Sequence, residues 1–523
     1  MSSTTIAVDD ALAHDQFMGH PKGLYICFLT EMWERFSFYG MRGLLIFYLT
    51  QHFLFDADGM AADIYGSYMA MVYALPVIGG FLADRYLGFR KAVVFGGILL
   101  SLGHMGMAIE GEPARALADG SIVRDGFSLQ IFFLSLSLII VGVGFLKPNI
   151  STIVGRLYGE DDPRRDGGFT IFYMGINLGA AAAAIIVGYL GQSPDWGWSW
   201  GFGLAGVGMI GGLITFLYGQ KFLHGHADPG DPELLLQPSP IPGINKERAV
   251  YLGGLLGILA SWQIVQHHVM VLGLLGTTSA ILVLGLMWFV MKHCDKIERD
   301  RMFVAIVLVF FSVFFWSLFE QAGTSMNLFA DQVLDRTLFG IEIQASQFQS
   351  LNSIFILLLG PLFAMGWVAL SKRGLEPTTP VKFGLGIVQV GLGFFALVMG
   401  ISVANEAHQV AMIWLVLAYL LHTTGELSLS PVGLSMITKL SVPRVVGLMM
   451  GAWFLASAGA EFVAAQISKL VHIDATAGEI ADPVQALAGY SELFRSVAWV
   501  GIAVGVFALL VSPLLRKRMH GIH

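Results

Sequence analysis

Cysteine is nearly absent. Cys27 and Cys294 are the two in 523 residues, so neither a disulfide framework nor a thiolate metal site is available. Charge is also scarce: Asp, Glu, Lys and Arg make up 13% of the chain, against about 25% in soluble domains. The metalloprotease signature HExxH is missing too, which leaves an intramembrane enzyme without a metal constellation. The first twenty residues, Met1 to His20, lack both a basic run and an apolar core, so no cleaved signal is expected. What abounds is apolar surface, with 55% hydrophobic residues and a mean hydropathy of +0.69. These features predict an all-α polytopic membrane protein.

Apolar segments of bilayer length recur at 24–51, 62–83, 91–110, 127–155, 168–191, 199–220, 249–267, 270–291, 302–329, 348–370, 381–403, 409–438, 445–468 and 494–515. The expectation is therefore fourteen transmembrane helices. Lys and Arg sort the loops between them: twenty-two of the thirty fall on one side, while the opposite loops mix a few with acids such as Asp56, Asp58, Glu112, Asp335 and Asp474. The positive-inside rule then puts both termini in the cytoplasm. The polar, Pro-rich stretch 221–248 reads as a boundary, followed by two spans with no ionised residue inside. The expected organisation is an N-terminal six-helix bundle (1–220), a linker and inserted two-helix hairpin (221–300), and a C-terminal six-helix bundle (301–523). Nothing in the hairpin demands a polar cavity, so it reads as scaffold or lipid-facing packing.

Span one is the exception to the apolar rule. Glu31, Glu34, Arg35 and Arg42 lie within it, and at about 100° per residue they fall at about 0°, 300°, 40° and 20°, on one side. An ion at the bilayer centre costs about 2.5 to 3.5 kcal/mol on the insertion scale. That side must therefore face partners or a wet cavity. Counting about 1.5 Å per residue from the span ends, Arg42 is level with Glu320 of span seven. Lys147 of span four and Glu426 of span ten are level with the Glu31, Glu34 and Arg35 cluster. Two layers result, each with both signs and with residues from both halves. An Arg42–Glu320 pair and a Lys147–Glu426 pair, made and broken in turn, would alternate access to a cavity between the halves. Tyr39, Tyr73, Tyr173, Asn149, Asn177 and Asn352 supply uncharged donors and acceptors, Trp316 sits one turn before Glu320, and His422, one turn before Glu426, reads as a packed hydrogen-bonding residue.

The loop Gly80-Phe-Leu-Ala-Asp84-Arg85-Tyr-Leu-Gly88-Phe-Arg90-Lys91 resembles the signature loop of the major facilitator superfamily, with Asp84 and Arg85 placed to latch neighbouring helices. Glu31-x-x-Glu34-Arg35, followed by Phe-Ser-Phe-Tyr39-Gly-Met-Arg42, resembles the ExxER signature of the proton-dependent oligopeptide transporters. Phe169-Thr-Ile-Phe-Tyr173-Met-Gly-Ile-Asn177 on span five, Phe315-Trp316-Ser-Leu-Phe-Glu320-Gln321 on span seven and Gly425-Glu426-Leu-Ser-Leu-Ser430-Pro431 on span ten are similar as well. The resemblance implies the major facilitator fold in a six-plus-two-plus-six layout and proton-coupled import of di- and tripeptides. By position it implies that Glu320, with Asn177 and Asn352, binds the peptide amino terminus. Arg42 and Lys147 would hold its carboxylate, Tyr39, Tyr73, Trp316 and Trp453 would line side-chain pockets, and Glu31, Glu34, Arg35 and Glu320 would couple the proton. It also implies a monomer in the bacterial inner membrane, with the proton as coupling ion, no cofactor or metal, and no nucleic-acid partner. Transport of nitrate, another small anion or a drug, and a peptide receptor without transport, are the competing readings.

Overall fold

Helix occupies every one of the fourteen apolar segments in the computed structural model. It describes residues 15–55, 59–159, 161–471, 475–476, 479–480 and 482–522, with only the backbone at 431, 432, 434, 475, 476, 479 and 480. The extreme N-terminus as far as residue 14, and Asp56, Asp58 and Asp474 of the acidic loops, lie outside the described residues. In chain order the helices are α1 (Lys22–Phe47), α2 (Ala61–Ala74), α3 (Pro76–Leu82), α4 (Phe89–Met107), α5 (Gly126–Arg156), α6 (Arg165–Gln192), α7 (Trp198–Gly219), the short α8 (Pro232–Leu236), α9 (Lys246–Val265) and α10 (His268–His293). They continue with α11 (Lys296–Phe319), α12 (Ser325–Gln332), α13 (Ser350–Lys372), α14 (Thr379–Ser402), α15 (Ile413–Leu440), α16 (Val446–Ser468) and α17 (Pro483–Arg518). Among the described residues, eleven stretches are long and apolar enough to cross a membrane. The other three segments are α1, with its four charges, α4, which opens on Arg90 and Lys91, and α15.

Local chemistry explains where the helices begin. The Asp125 carboxylate accepts from the Phe127 amide at 3.0 Å at the head of α5, and Asn245 accepts from Arg248 at 2.9 Å at the head of α9. Asp295 and Glu298 form a reciprocal capping box on α11. Each satisfies amides that a helix start leaves without partners.

Two compact units are distinguished by packing, and their boundaries differ from those at 220 and 300. One comprises Met1–Leu44 and Met71–Gln266, the other Leu45–Ala70 and His267–His523. The inserted hairpin divides at its tip, so α9 belongs to the first unit and α10 to the second. Helix α10 buries only 11% of its most apolar stretch inside the protein, and α9 28%.

Glycine decides how α1 is held in the first unit. A Cβ on Gly179 of α6 would stand 2.2 Å from the Met32 carbonyl oxygen, and one on Gly40 would stand 2.9 Å from Val187. On the α7 side, a Cβ on Gly208 would meet Phe36 at 2.7 Å and one on Gly212 would meet Trp33 at 3.0 Å. Met32, Trp33, Phe36 and Gly40 occupy about 100° to 200° of the helix wheel, opposite the sector of Glu31, Glu34, Arg35 and Arg42. Close backbone packing thus turns the charged side away from α6 and α7. Gly179→Leu forces these helices apart and should cost about 1 to 3 kcal/mol, read as a lower melting temperature of the purified protein in detergent. An unchanged melting temperature would show that the contact is slack.

Candidate functional site

In the first unit, α1 presents Glu31 (3% exposed), Glu34 (0%) and Arg35 (3%) as a buried trio. Adjacent side chains on a helix diverge by about 100°, yet the Arg35 guanidinium folds back to grip Glu34 with both arms: Nε on Oε2, and Nη2 on Oε1 at 2.6 Å. The same Nε lies 3.2 Å from Glu31 Oε1, one turn earlier. A fork-on-fork pair of this kind is the strongest geometry available to the two groups. Glu31 Oε2 has no hydrogen-bond partner among the described residues. Two carboxylates on one guanidinium leave an uncompensated negative charge, and Lys147 of α5 lies within electrostatic reach of Glu31.

Aromatic rings set the spacing of the cations. Tyr39 sits between two guanidinium groups, with Arg35 Cζ 5.8 Å and Arg42 Cζ 5.9 Å from its ring centre, and Phe38 lies 5.1 Å from Arg35. Lys147 Nζ stands 4.4 Å over the Tyr73 ring. The structure therefore brings Glu31, Glu34, Arg35, Tyr39 and Arg42 together on α1, with Lys147 and Tyr73 beside one another nearby. Asn177 is buried on α6, where its Nδ2 donates to the Tyr173 carbonyl at 3.1 Å. Asn149 does the same to Phe145 at 2.6 Å.

The second unit gathers carboxylates. Helix α11 ends at Phe319, and Glu320–Gly323 forms a 3-10 turn that places the buried Glu320 at the break. Gln321, which sequence reasoning passed over, fastens this turn. Its Nε2 donates to the Ala464 carbonyl of α16 at 2.8 Å, and Ser325 donates to its Oε1 at 2.6 Å. Asn352 of α13 donates through Nδ2 to Glu426 Oε2 at 2.9 Å and to Thr423 Oγ1 at 3.1 Å. Glu320 and Glu426 are close enough for their charges to interact. Trp316 meets Phe315 and Phe319 edge-on at 5.1 and 5.3 Å. Trp453 of α16 fills the space above Gly433, where a Cβ would come within 2.7 Å of its ring. His422 donates Nε2 to the Val390 carbonyl at 3.1 Å, the packed role read from the sequence.

Around Asp84 the partners are ones the sequence did not suggest. Asp84 Oδ1 lies 3.9 Å from Arg156 at the end of α5, both exposed, and Arg85 is exposed as well. The tighter contacts belong to the next two basic residues: Arg90 pairs with Asp228 at 2.5 Å and Lys91 with Glu247 at 2.6 Å. Gly88, at φ +74°, admits Pro229 so closely that a Cβ would stand 2.4 Å from its nitrogen. The Pro-rich connection is thus folded against this loop. A second missed cluster lies in the other unit. Asp63, 3% exposed at the start of α2, accepts from Gln466 at 2.8 Å and Lys469 at 2.9 Å, with His268 Nδ1 3.6 Å away. In the same unit, Gln51 donates to Asp331 at 2.9 Å. The only sequence signal was a lone carboxylate opening an apolar segment.

Buried ions carried on many long apolar helices are what the polar pathway of a membrane transporter requires. The family model for PTR2, described as the POT family, matches residues 90–481, and the chain belongs to that family, with its major facilitator fold. It is 36% identical over 479 residues to the peptide transporter YePEPT of Yersinia enterocolitica, covering 88% of this chain and 89% of that protein. It is 35% identical over 526 residues to a di-/tripeptide transporter of Lactococcus lactis, covering 96% and 97%. A crystal structure of a peptide transporter POT in complex with sulfate superposes with a TM-score of 0.81 at 33% identity, covering both chains completely.

Proposed function

We propose that this protein imports di- and tripeptides together with protons across the plasma membrane of a bacterium, by alternating access, as a monomer with both termini in the cytoplasm. One observation carries the reading. The buried cations Arg35 and Arg42, with the half-buried Lys147, collect in the first unit, and the buried carboxylate pair Glu320 and Glu426, with Asn352, collects in the second. A free peptide is a zwitterion with ends about 7 Å apart in a dipeptide, and complementary groups that anchor the ends alone tolerate any side chain between them. The names of the relatives support peptides as the cargo.

In this reading Arg42 and Lys147 hold the carboxylate, while Glu320, with Asn177 and Asn352, receives the amino terminus. Tyr39, Tyr73, Trp316 and Trp453 line the side-chain pockets. Arg42–Glu320 and Lys147–Glu426 pairs form and break in alternation, and Asp84 and Arg85 latch the cytoplasmic side. Glu31, Glu34, Arg35 and Glu320 carry the proton coupling, since each change of partner changes the cost of ionising a carboxylate. The test is uptake of labelled Ala-Ala by proteoliposomes under an imposed inward proton gradient. Accumulation that collapses with the gradient is expected; no uptake would reject the proposal, and uptake of nitrate instead would replace it.

The bond from Asn352 to Glu426 yields its own expectation. Asn352→Ala removes a charge-assisted donor worth about 1.5 to 3 kcal/mol, so the half-saturating Ala-Ala concentration should rise about ten- to a hundredfold. An unchanged value would separate Asn352 from the binding step.

A further inference from the structure

We propose that the ends of α5 and α6 carry a second, weaker carboxylate station, built on Arg165 and Arg156, that receives the carboxyl end of the peptide after it leaves Lys147. The proposal rests on the peptide-import reading, which makes these helix ends cytoplasmic.

The cavity is there: about 930 Å³, lined by Ser151, Gly155, Arg156, Arg165, Phe169 and Asp228 among others. Helical spacing ties it to the site above. Lys147, Ser151 and Gly155 repeat at four residues along one face of α5, and Tyr173, Phe169 and Arg165 repeat the same way down α6. Each step is about 6 Å, so the two faces run as a pair of rails from the Lys147 level to the cavity. Gly155 is where they meet. A Cβ there would touch Arg165 Nη2 at 3.4 Å and Phe169 Cζ at 3.4 Å, so the guanidinium lies across α5 in the gap left by a missing side chain.

The charge around this cavity is uneven. Asp228, the carboxylate in its wall, is taken by Arg90 at 2.5 Å. Asp162, just before α6, is gripped by Arg164 at 2.7 Å, and that guanidinium holds its carboxyl down to about 2. Arg156 rests 4.2 Å over the Phe89 ring and, among the described residues, reaches an exposed Asp84 at 3.9 Å. Arg165 makes no salt bridge within 4.0 Å among the described residues. Two guanidinium groups therefore open onto a cavity whose one described wall acid, Asp228, is already paired. The ligand chemistry is a carboxylate. Lys147 and Gly155 are about 12 Å apart along α5, more than a dipeptide spans, so a dipeptide quits the upper site before settling in the lower. Solvent-exposed ion pairs bind weakly, at about 0.2 to 1 kcal/mol each, which suits a station from which product must depart.

The test uses the full-length protein in membrane vesicles of fixed orientation, with labelled Ala-Ala-Ala presented to each face. Arg165→Gln should raise the half-saturating concentration at the cytoplasmic face about 1.5- to fivefold and leave that at the external face unchanged, with Arg165→Lys retaining most of the wild-type value. The C-terminal amide of the peptide should compete at the cytoplasmic face equally well in wild type and variant. Gly155→Val, which fills the seat without removing charge, should give the same one-sided shift and decides the matter if Arg165→Gln fails to reach the membrane. Unchanged cytoplasmic values in both variants, or equal shifts at both faces, would overturn the station while leaving peptide import intact. A wild-type protein that moves peptide in neither direction would remove the import reading itself.

Discussion

Glu320→Gln should abolish concentrative uptake: with a proton gradient imposed, labelled Ala-Ala in proteoliposomes reaches the external concentration and stops. The substitution keeps the volume of the side chain and the turn that holds it, since Gln321, not Glu320, makes the bonds to Ala464 and Ser325. What is lost is the charge. A carboxylate bond to an ammonium group is worth about 1.5 to 3 kcal/mol, so affinity for the free amino terminus should fall by about ten- to a hundredfold. Coupling is lost because a side chain that cannot exchange a proton cannot tie proton movement to a change of partner. Exchange of peptide down its own gradient should survive at high concentration, which distinguishes an uncoupled carrier from an unfolded one. Wild-type accumulation in this variant would remove Glu320 from both roles.

The second large effect concerns stability. Arg35→Gln leaves Glu31 and Glu34 buried without the guanidinium that now serves both, and breaking a buried pair from one side costs about 3 to 5 kcal/mol. Purified Arg35→Gln should melt well below the wild type in detergent. The double variant Glu34→Gln with Arg35→Gln should recover part of that loss, because replacing both partners removes the unpaired charge as well as the pair. A single variant that melts with the wild type, or a double variant worse than the single, would mean that water already solvates these carboxylates.

Much of the site was legible along the chain because membrane energetics make buried charge conspicuous. Glu31, Glu34, Arg35, Arg42, Lys147, Glu320 and Glu426 stand out against apolar runs, and helical periodicity alone placed the first four on one sector, where the glycine contacts of α6 and α7 leave them. What could not be read was which donor serves which acceptor. Asn352 and Glu426 are separated by 74 positions, Asp63 and Lys469 by 406, and no spacing rule links residues so distant. The pairing of Arg35 with its immediate neighbour ran against the rule that helix partners lie three or four apart, because a long, forked side chain can bend through the angle between them.

The chain's chemistry by itself determined a membrane protein of many helices, the segments that become those helices, and the few ions they must shelter, because the cost of burying charge and leaving backbone groups unpaired in lipid is local and large. Tertiary structure alone decided the breaks and the couplings. These are the 3-10 turn at Glu320, the grip of Gln321 on α16, the folding of the Pro-rich connection onto Gly88, and the seat of Arg165 over Gly155. Each depends on how closely two distant backbones approach. Such distances are set by the shapes of side chains meeting across helices, and short-range pattern carries no record of them.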